Sequence, residues 1–104
     1  MKRAAVFVPV LLRFAPAAGR QDAWGRLTRL TSGGAELSTS ARLTRDEGVL
    51  LSFELGGVRF DEVRGRVAHA EDDVDGHRLA ELVFQDEVQR RALAKALVEV
   101  LSRS

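Results

Sequence analysis

The sequence predicts an all-β domain carrying one helix: six short antiparallel strands over roughly residues 5–84, closed as a barrel or paired as a sandwich, then a C-terminal helix over about 86–102. Three observations carry this. Apolar residues recur at alternate positions through most of the chain, the period of a half-buried strand. Glycine pairs and acidic clusters punctuate the alternating runs as turns do. From Asp86 the period changes to helical spacing and stays there. A doubly wound α/β fold is disfavoured because no helical segment separates the strands.

The first run is Val6, Val8, Val10, Leu12 and Phe14, alternating with Phe7, Pro9, Leu11 and Arg13. Proline cannot donate to a ladder, so this strand is expected at an edge or with an irregularity at Pro9. "APAAGRQD" reads as a loop. Ala23 to Leu30 is the second strand, with Leu27 and Gly25 inward and Arg26 and Thr28 outward. Trp24, the only tryptophan, is expected to cap a barrel mouth, with stacking on a base or partner as the other reading.

"SGG" at 32–34 is a turn into a short third strand from Ala35 to Leu37. Val49, Leu51, Phe53 and Leu55 form the fourth, and Gly56–Gly57 is a hairpin signal leading to Val58. The fifth strand changes phase, because Val58 and Phe60 share one parity and Val63 and Val67 the other. A bulge near Asp61–Glu62 reconciles them. "HAEDDVDGHR" is an acidic turn, and Leu79 to Phe84 is the sixth strand.

In "DEVQRRALAKALVEVLSR" the stripe falls at 93, 97, 100 and 101, flanked by Val88, Ala94 and Val98. Asp86 with Gln89 three residues on resembles a capping box. An outer stripe of Val88, Ala92 and Val98 is available to a partner, including a second copy of the chain.

Composition narrows the function. The 104 residues suit one domain, 1–104, and the net charge of +1 gives no general attraction to DNA, RNA or an anionic membrane. With no cysteine, disulfide, thiolate-metal and cysteine-nucleophile chemistries are excluded. The cationic side chains are fourteen arginines and two lysines, and arginine is the better planar ligand for phosphate. The apolar N-terminal run is broken by Pro9 and Arg13, so a strand is expected there in place of a secretory signal, and the expected compartment is the cytoplasm.

No serine stands at a hydrolase-like spacing from a base, and Asp61 and Glu62, being adjacent, point to opposite faces of a regular strand; no enzyme is expected. His69 and His77 flank Glu71, Asp72, Asp73 and Asp75, but the spacing does not match a calcium loop, so a solvated turn is expected and no metal or cofactor. A small oligonucleotide-binding barrel is disfavoured, since that fold usually places its helix between strands and needs aromatic platforms. This chain has six aromatics, five of them phenylalanines on strands.

The stretch "RLTSGGAEL", Arg29 to Leu37, holds the most specific signal. Glycines at 33 and 34 permit positive φ, and successive free N–H groups in such a turn form an anion-binding nest. A hairpin that simply needs glycine is the alternative.

This element order, with the turn at 31–34 and "FVPV" at Phe7 to Val10, resembles the PilZ domain, the bacterial receptor module for cyclic di-GMP. The resemblance covers nearly the whole chain and implies a six-stranded split-barrel type of antiparallel barrel with a C-terminal helix. The family holds its ligand with Arg-x-x-x-Arg before the first strand and Asp/Asn-x-Ser-x-x-Gly after the second. Here Arg3 falls on the first arginine and Phe7 stands where the second belongs. Arg29 replaces the acid or amide, Thr31 keeps the hydroxyl of the serine, and Gly34 keeps the glycine. The ligand set that the resemblance implies is therefore Arg3, Phe7, Arg29, Thr31, Ser32, Gly33 and Gly34. Each charge-assisted contact is worth about 1.5–3 kcal/mol, so each lost one weakens binding roughly tenfold to a hundredfold. The resemblance implies a cyclic di-GMP signalling module with weak or lost binding. The alternative is a ligand-independent adaptor that dimerises or docks a protein partner.

Overall fold

The computed structural model describes residues 4–72 and 76–102, without the side chains of 4–7. Six strands, β1 (Ala4–Phe14), β2 (Ala23–Thr31), β3 (Gly34–Thr39), β4 (Gly48–Leu55), β5 (Val58–Asp72) and β6 (Arg78–Phe84), precede one helix, α1 (Glu87–Ser102). Every strand pairing is antiparallel, and the strands close in the order β1-β2-β3-β6-β5-β4. The barrel alternative is therefore the correct one, and no sandwich forms.

Inward positions supply one continuous core: Val10 and Leu12 from β1, Leu27 and Leu30 from β2, Leu37 from β3, Leu51 and Phe53 from β4, Val63 and Val67 from β5, and Leu82 and Phe84 from β6. α1 adds Leu93, Ala96 and Leu97. It packs mainly on β2, β4 and β6, which are alternate strands around the ring, and Gln89 reaches β5 as well. A helix that meets strands from all around the ring lies across an open end, so α1 covers a mouth of the barrel. No helix among the described residues is long and apolar enough to cross a membrane.

Three irregularities set the site. The β4–β5 register slips between Leu51 and Phe53 against Val63 and Phe60, leaving one extra residue on β5 at the expected place, and Glu62 there has φ 54. β2 carries an extra residue at Thr28 relative to β3. That bulge places Leu27 and Leu30, three apart, both inside, and it turns Arg29 to the surface. Strict alternation from Leu27 would have sent Arg29 into the core. β1 slips against β2 between Ala5 and Val8.

Pro9 pairs with Arg26 of β2, but the β1–β4 pairing ends at Leu11–Ser52. The proline stands just beyond the last β1–β4 pair, where a missing N–H costs the sheet nothing. At the other hairpin Gly56 and Gly57 have φ 58 and 83, the two left-handed positions of a type I′ turn.

The capping box forms by half. The Asp86 carboxylate accepts the N–H of Gln89 at 3.0 Å. The Gln89 side chain does not return to the cap. It reaches to β5 instead.

Candidate functional site

The β2–β3 turn is a two-residue hairpin: Thr31 pairs with Gly34, and Ser32 and Gly33 form the tip. Neither Gly33 nor Gly34 adopts a left-handed φ. The expected nest does not form, and the reason is Thr31. Its Oγ1 accepts the N–H groups of Gly33 and Gly34, each at 3.1 Å, and donates to the carbonyl of Gly34 at 3.3 Å. The donors that would face an anion are consumed inside the turn, as in other hydroxyl-stabilised turns. Gly33 also gives its carbonyl to the N–H of Phe84 at 2.9 Å, tying the tip to the end of β6.

Gly34 is needed for a different reason from the one expected. It sits between Thr31 and Val83, and a Cβ there would lie 2.3 Å from the backbone oxygen of Leu82. The glycine permits close strand approach.

Arg29, Thr31 and Gly34 do come together, lining an open groove of about 230 Å³ on the outer wall of β2, β3 and β6. Glu36 and Glu81 line it too. The register explains this: Arg29 is opposite Glu36, and Glu36 is opposite Glu81, so three charged residues stand in one row across three strands. Glu36 holds the Thr28 hydroxyl at 2.9 Å and lies 4.0 Å from the Arg29 guanidinium. One arginine faces two carboxylates, which gives the groove a net negative lining that repels a dianion.

Ser32 lies elsewhere, in a shallow groove with Glu87, Arg90 and Arg91 between the turn and α1. Arg3 is outside the described residues. Phe7 belongs to the β1 backbone, where the register with β2 slips, and its side chain is outside the described set. Sequence reasoning missed Glu36, Glu81 and Arg90, because only strand register and helix docking bring them to the turn.

Trp24 does not cap a mouth. It projects outward from the far end of β2, is 66% exposed, and pairs in register with Leu11 of β1. The parity that keeps Leu27 inside sends residue 24 to the surface. Asp73 and Asp75 of the acidic turn lie outside the described residues. Among the described residues no group of three or more His, Cys, Asp or Glu is placed to hold a metal ion.

The chain superposes over nearly its whole length on solved structures. The PilZ domain of CeSA from a cellulose-synthesizing bacterium aligns with a TM-score of 0.68 and 23% identity, covering 98% of this chain and 99% of that one. The chain has the PilZ-domain fold. YcgR of Escherichia coli, solved in complex with c-di-GMP, aligns with a TM-score of 0.75 at 14% identity. The Bacillus subtilis inhibitor of motility MotI/DgrA aligns at 0.72 and 13%. The PilZ-type barrel covers 98% of itself in each, but only 45% of YcgR and 50% of MotI/DgrA. No family model matches the sequence, and no curated protein does.

Proposed function

We propose that this domain is a PilZ-type signalling module whose dinucleotide face has degenerated, so that cyclic di-GMP binds weakly or not at all. One observation carries the reading. The turn that resembles the family's second motif spends its N–H donors on Thr31, beside a groove where Arg29 is held by Glu36 and faced by Glu81. Phe7, in place of the second arginine, removes a further fork for phosphate or guanine. Calorimetric titration of the purified domain with cyclic di-GMP tests this. Weak or undetectable heat is expected, and submicromolar binding overturns it. The paired substitution Phe7→Arg with Arg29→Asp restores the motif residues and is expected to gain affinity. A silent native domain with an equally silent variant would mean that the site geometry is assigned wrongly.

A second reading, a protein-interaction module, is favoured by α1. Val88 and Val98 are 74% and 55% exposed on the side of the helix away from the barrel. Sedimentation of the native chain and of Val98→Lys decides whether that side joins two copies. An unchanged monomer in both removes the dimer form of this reading.

A further inference from the structure

The outer wall carries a second groove whose chemistry is opposite to that of the Arg29 groove. It has a volume of about 500 Å³, within the range of small-molecule sites, and is lined by Trp24, Arg26, Ser38, Ser40 and His77 among others. Among the described residues no carboxylate lines it. Glu36, the nearest acid along β3, is held by Thr28 and lines the neighbouring groove.

Arg26 lies two residues beyond Trp24 on the outward side of β2, opposite Ser38 on β3 and Pro9 on β1. Among the described residues it joins none of the ion pairs, whereas Arg13, Arg20, Arg29, Arg59, Arg78 and Arg91 each meet a carboxylate. The backbone beneath the indole is fixed, because the buried Thr39 hydroxyl donates to the Trp24 carbonyl at 2.9 Å. A solvent-facing indole on an anchored backbone thus adjoins a guanidinium outside the ion pairs of the described residues and the hydroxyls of Ser38 and Ser40.

We infer that this groove binds a planar anion of the nucleoside-monophosphate class, with its flat ring on Trp24 and its phosphate on Arg26. An exposed indole offers a stacking face for any base, and a guanidinium without a partner forks onto phosphate. Neither half suffices: a neutral base leaves Arg26 unused, and inorganic phosphate leaves Trp24 unused. The inference shares no residue with the cyclic di-GMP reading, so each can fail alone.

The test uses the protein's own optics. Trp24 is the only tryptophan and there is no tyrosine, so indole emission reports the surroundings of Trp24 alone, and Arg26→Ala separates this groove from the one that Trp24 also lines with Pro9, Glu54 and Arg59. The intact domain is titrated with GMP, with guanosine and with inorganic phosphate. Saturable quenching by GMP is expected, with at least tenfold weaker binding of guanosine. Phosphate is expected to bind at least tenfold more weakly than GMP, measured by competition. Arg26→Ala, at an exposed position, is expected to lose at least tenfold in GMP affinity, and Arg29→Ala to lose none. Linear, unsaturating quenching that is identical in Arg26→Ala overturns the inference. So does an equal loss in Arg29→Ala, which would move the anion to the other groove.

Discussion

Gln89 of α1 donates its side-chain amide to the backbone carbonyl of Glu62, 2.9 Å away across the mouth of the barrel. Its Oε1 accepts the N–H of Arg64, also at 2.9 Å. One amide therefore satisfies both sides of the β5 bulge, whose central residue holds φ 54, a conformation that non-glycine residues adopt at a cost. Ser52 adds a third support, its Oγ accepting the Glu62 N–H at 3.3 Å.

Replacing that amide tests whether it ties the helix to the barrel. Gln89→Ala removes two hydrogen bonds and is expected to destabilise the domain by about 1–3 kcal/mol. Lys95→Ala, exposed on the same helix, is expected to change stability by less than about 0.5 kcal/mol. Urea denaturation of both reads the difference, and coincident midpoints would show that α1 is held by its apolar stripe alone.

The two glycines of the β2–β3 turn separate packing from ligand binding. Gly34→Ala drives a Cβ against the Leu82 carbonyl, backbone against backbone, with no side chain able to yield. The expected loss is about 2 kcal/mol or more, or failure to fold. Gly33→Ala meets nothing closer than 3.8 Å and has no left-handed φ, so it is expected to be nearly neutral. Thermal unfolding of the pair checks this, and equal losses would refute the close-approach role of Gly34.

The charge row across β2, β3 and β6 can be tested by removing its acids. Glu36→Gln with Glu81→Gln turns the Arg29 groove from net negative to net positive while keeping side-chain size. Affinity for cyclic di-GMP is expected to rise about tenfold at low salt, and the gain to shrink at high salt, as screened surface charges require. Equilibrium dialysis at two ionic strengths measures it. A gain that ignores salt, or no gain, would place the defect in the turn geometry and not in the carboxylates.

These features differ in how far the chain alone discloses them. Period-two alternation names the strands, and the parity change between Phe60 and Val63 locates the β5 bulge, because both are local and every core position reports on phase. The Thr28 bulge is silent: Leu27 and Leu30 are the only inward leucines flanking it, and a three-residue spacing is compatible with other readings. Arg29 therefore looks like a residue facing inward until β3 fixes the register. Asp86 and Gln89 are legible as a cap, yet the outcome for the Gln89 side chain depends on a carbonyl 27 positions away. Glu36 and Glu81 meet only through strand pairing, so no motif marks them. Trp24 is decided by parity, which the alternation of β2 already contained.

Arg20 is the clearest case of a residue with no local signal and a definite role. It lies in the loop after the 3-10 turn at Pro16–Ala18, yet its guanidinium reaches Glu47 at 2.5 Å, donates to the carbonyl of Arg42, and lies 3.9 Å from the centre of the Phe14 ring. Both members of the ion pair are largely shielded, at 28% and 19% side-chain exposure, so the pairing is screened less than the surface bridges elsewhere. Glu47 in turn accepts the N–H of Thr44 at 3.1 Å, so the clamp organises the 42–47 loop ahead of β4. Arg20→Ala is expected to destabilise the domain by about 1–3 kcal/mol, from the lost charge-assisted bonds and the lost ring contact. Arg20→Lys is expected to recover less than half of that, because an ammonium cannot serve carboxylate, carbonyl and ring face together. Denaturant midpoints decide it, with hydrogen exchange reporting whether the loop loosens, at the Asp46 N–H, which donates to the Val67 carbonyl at 2.7 Å, and at the Val67 N–H, which donates to the Glu47 carbonyl at 2.9 Å. Full rescue by lysine would reduce the clamp to a single point charge.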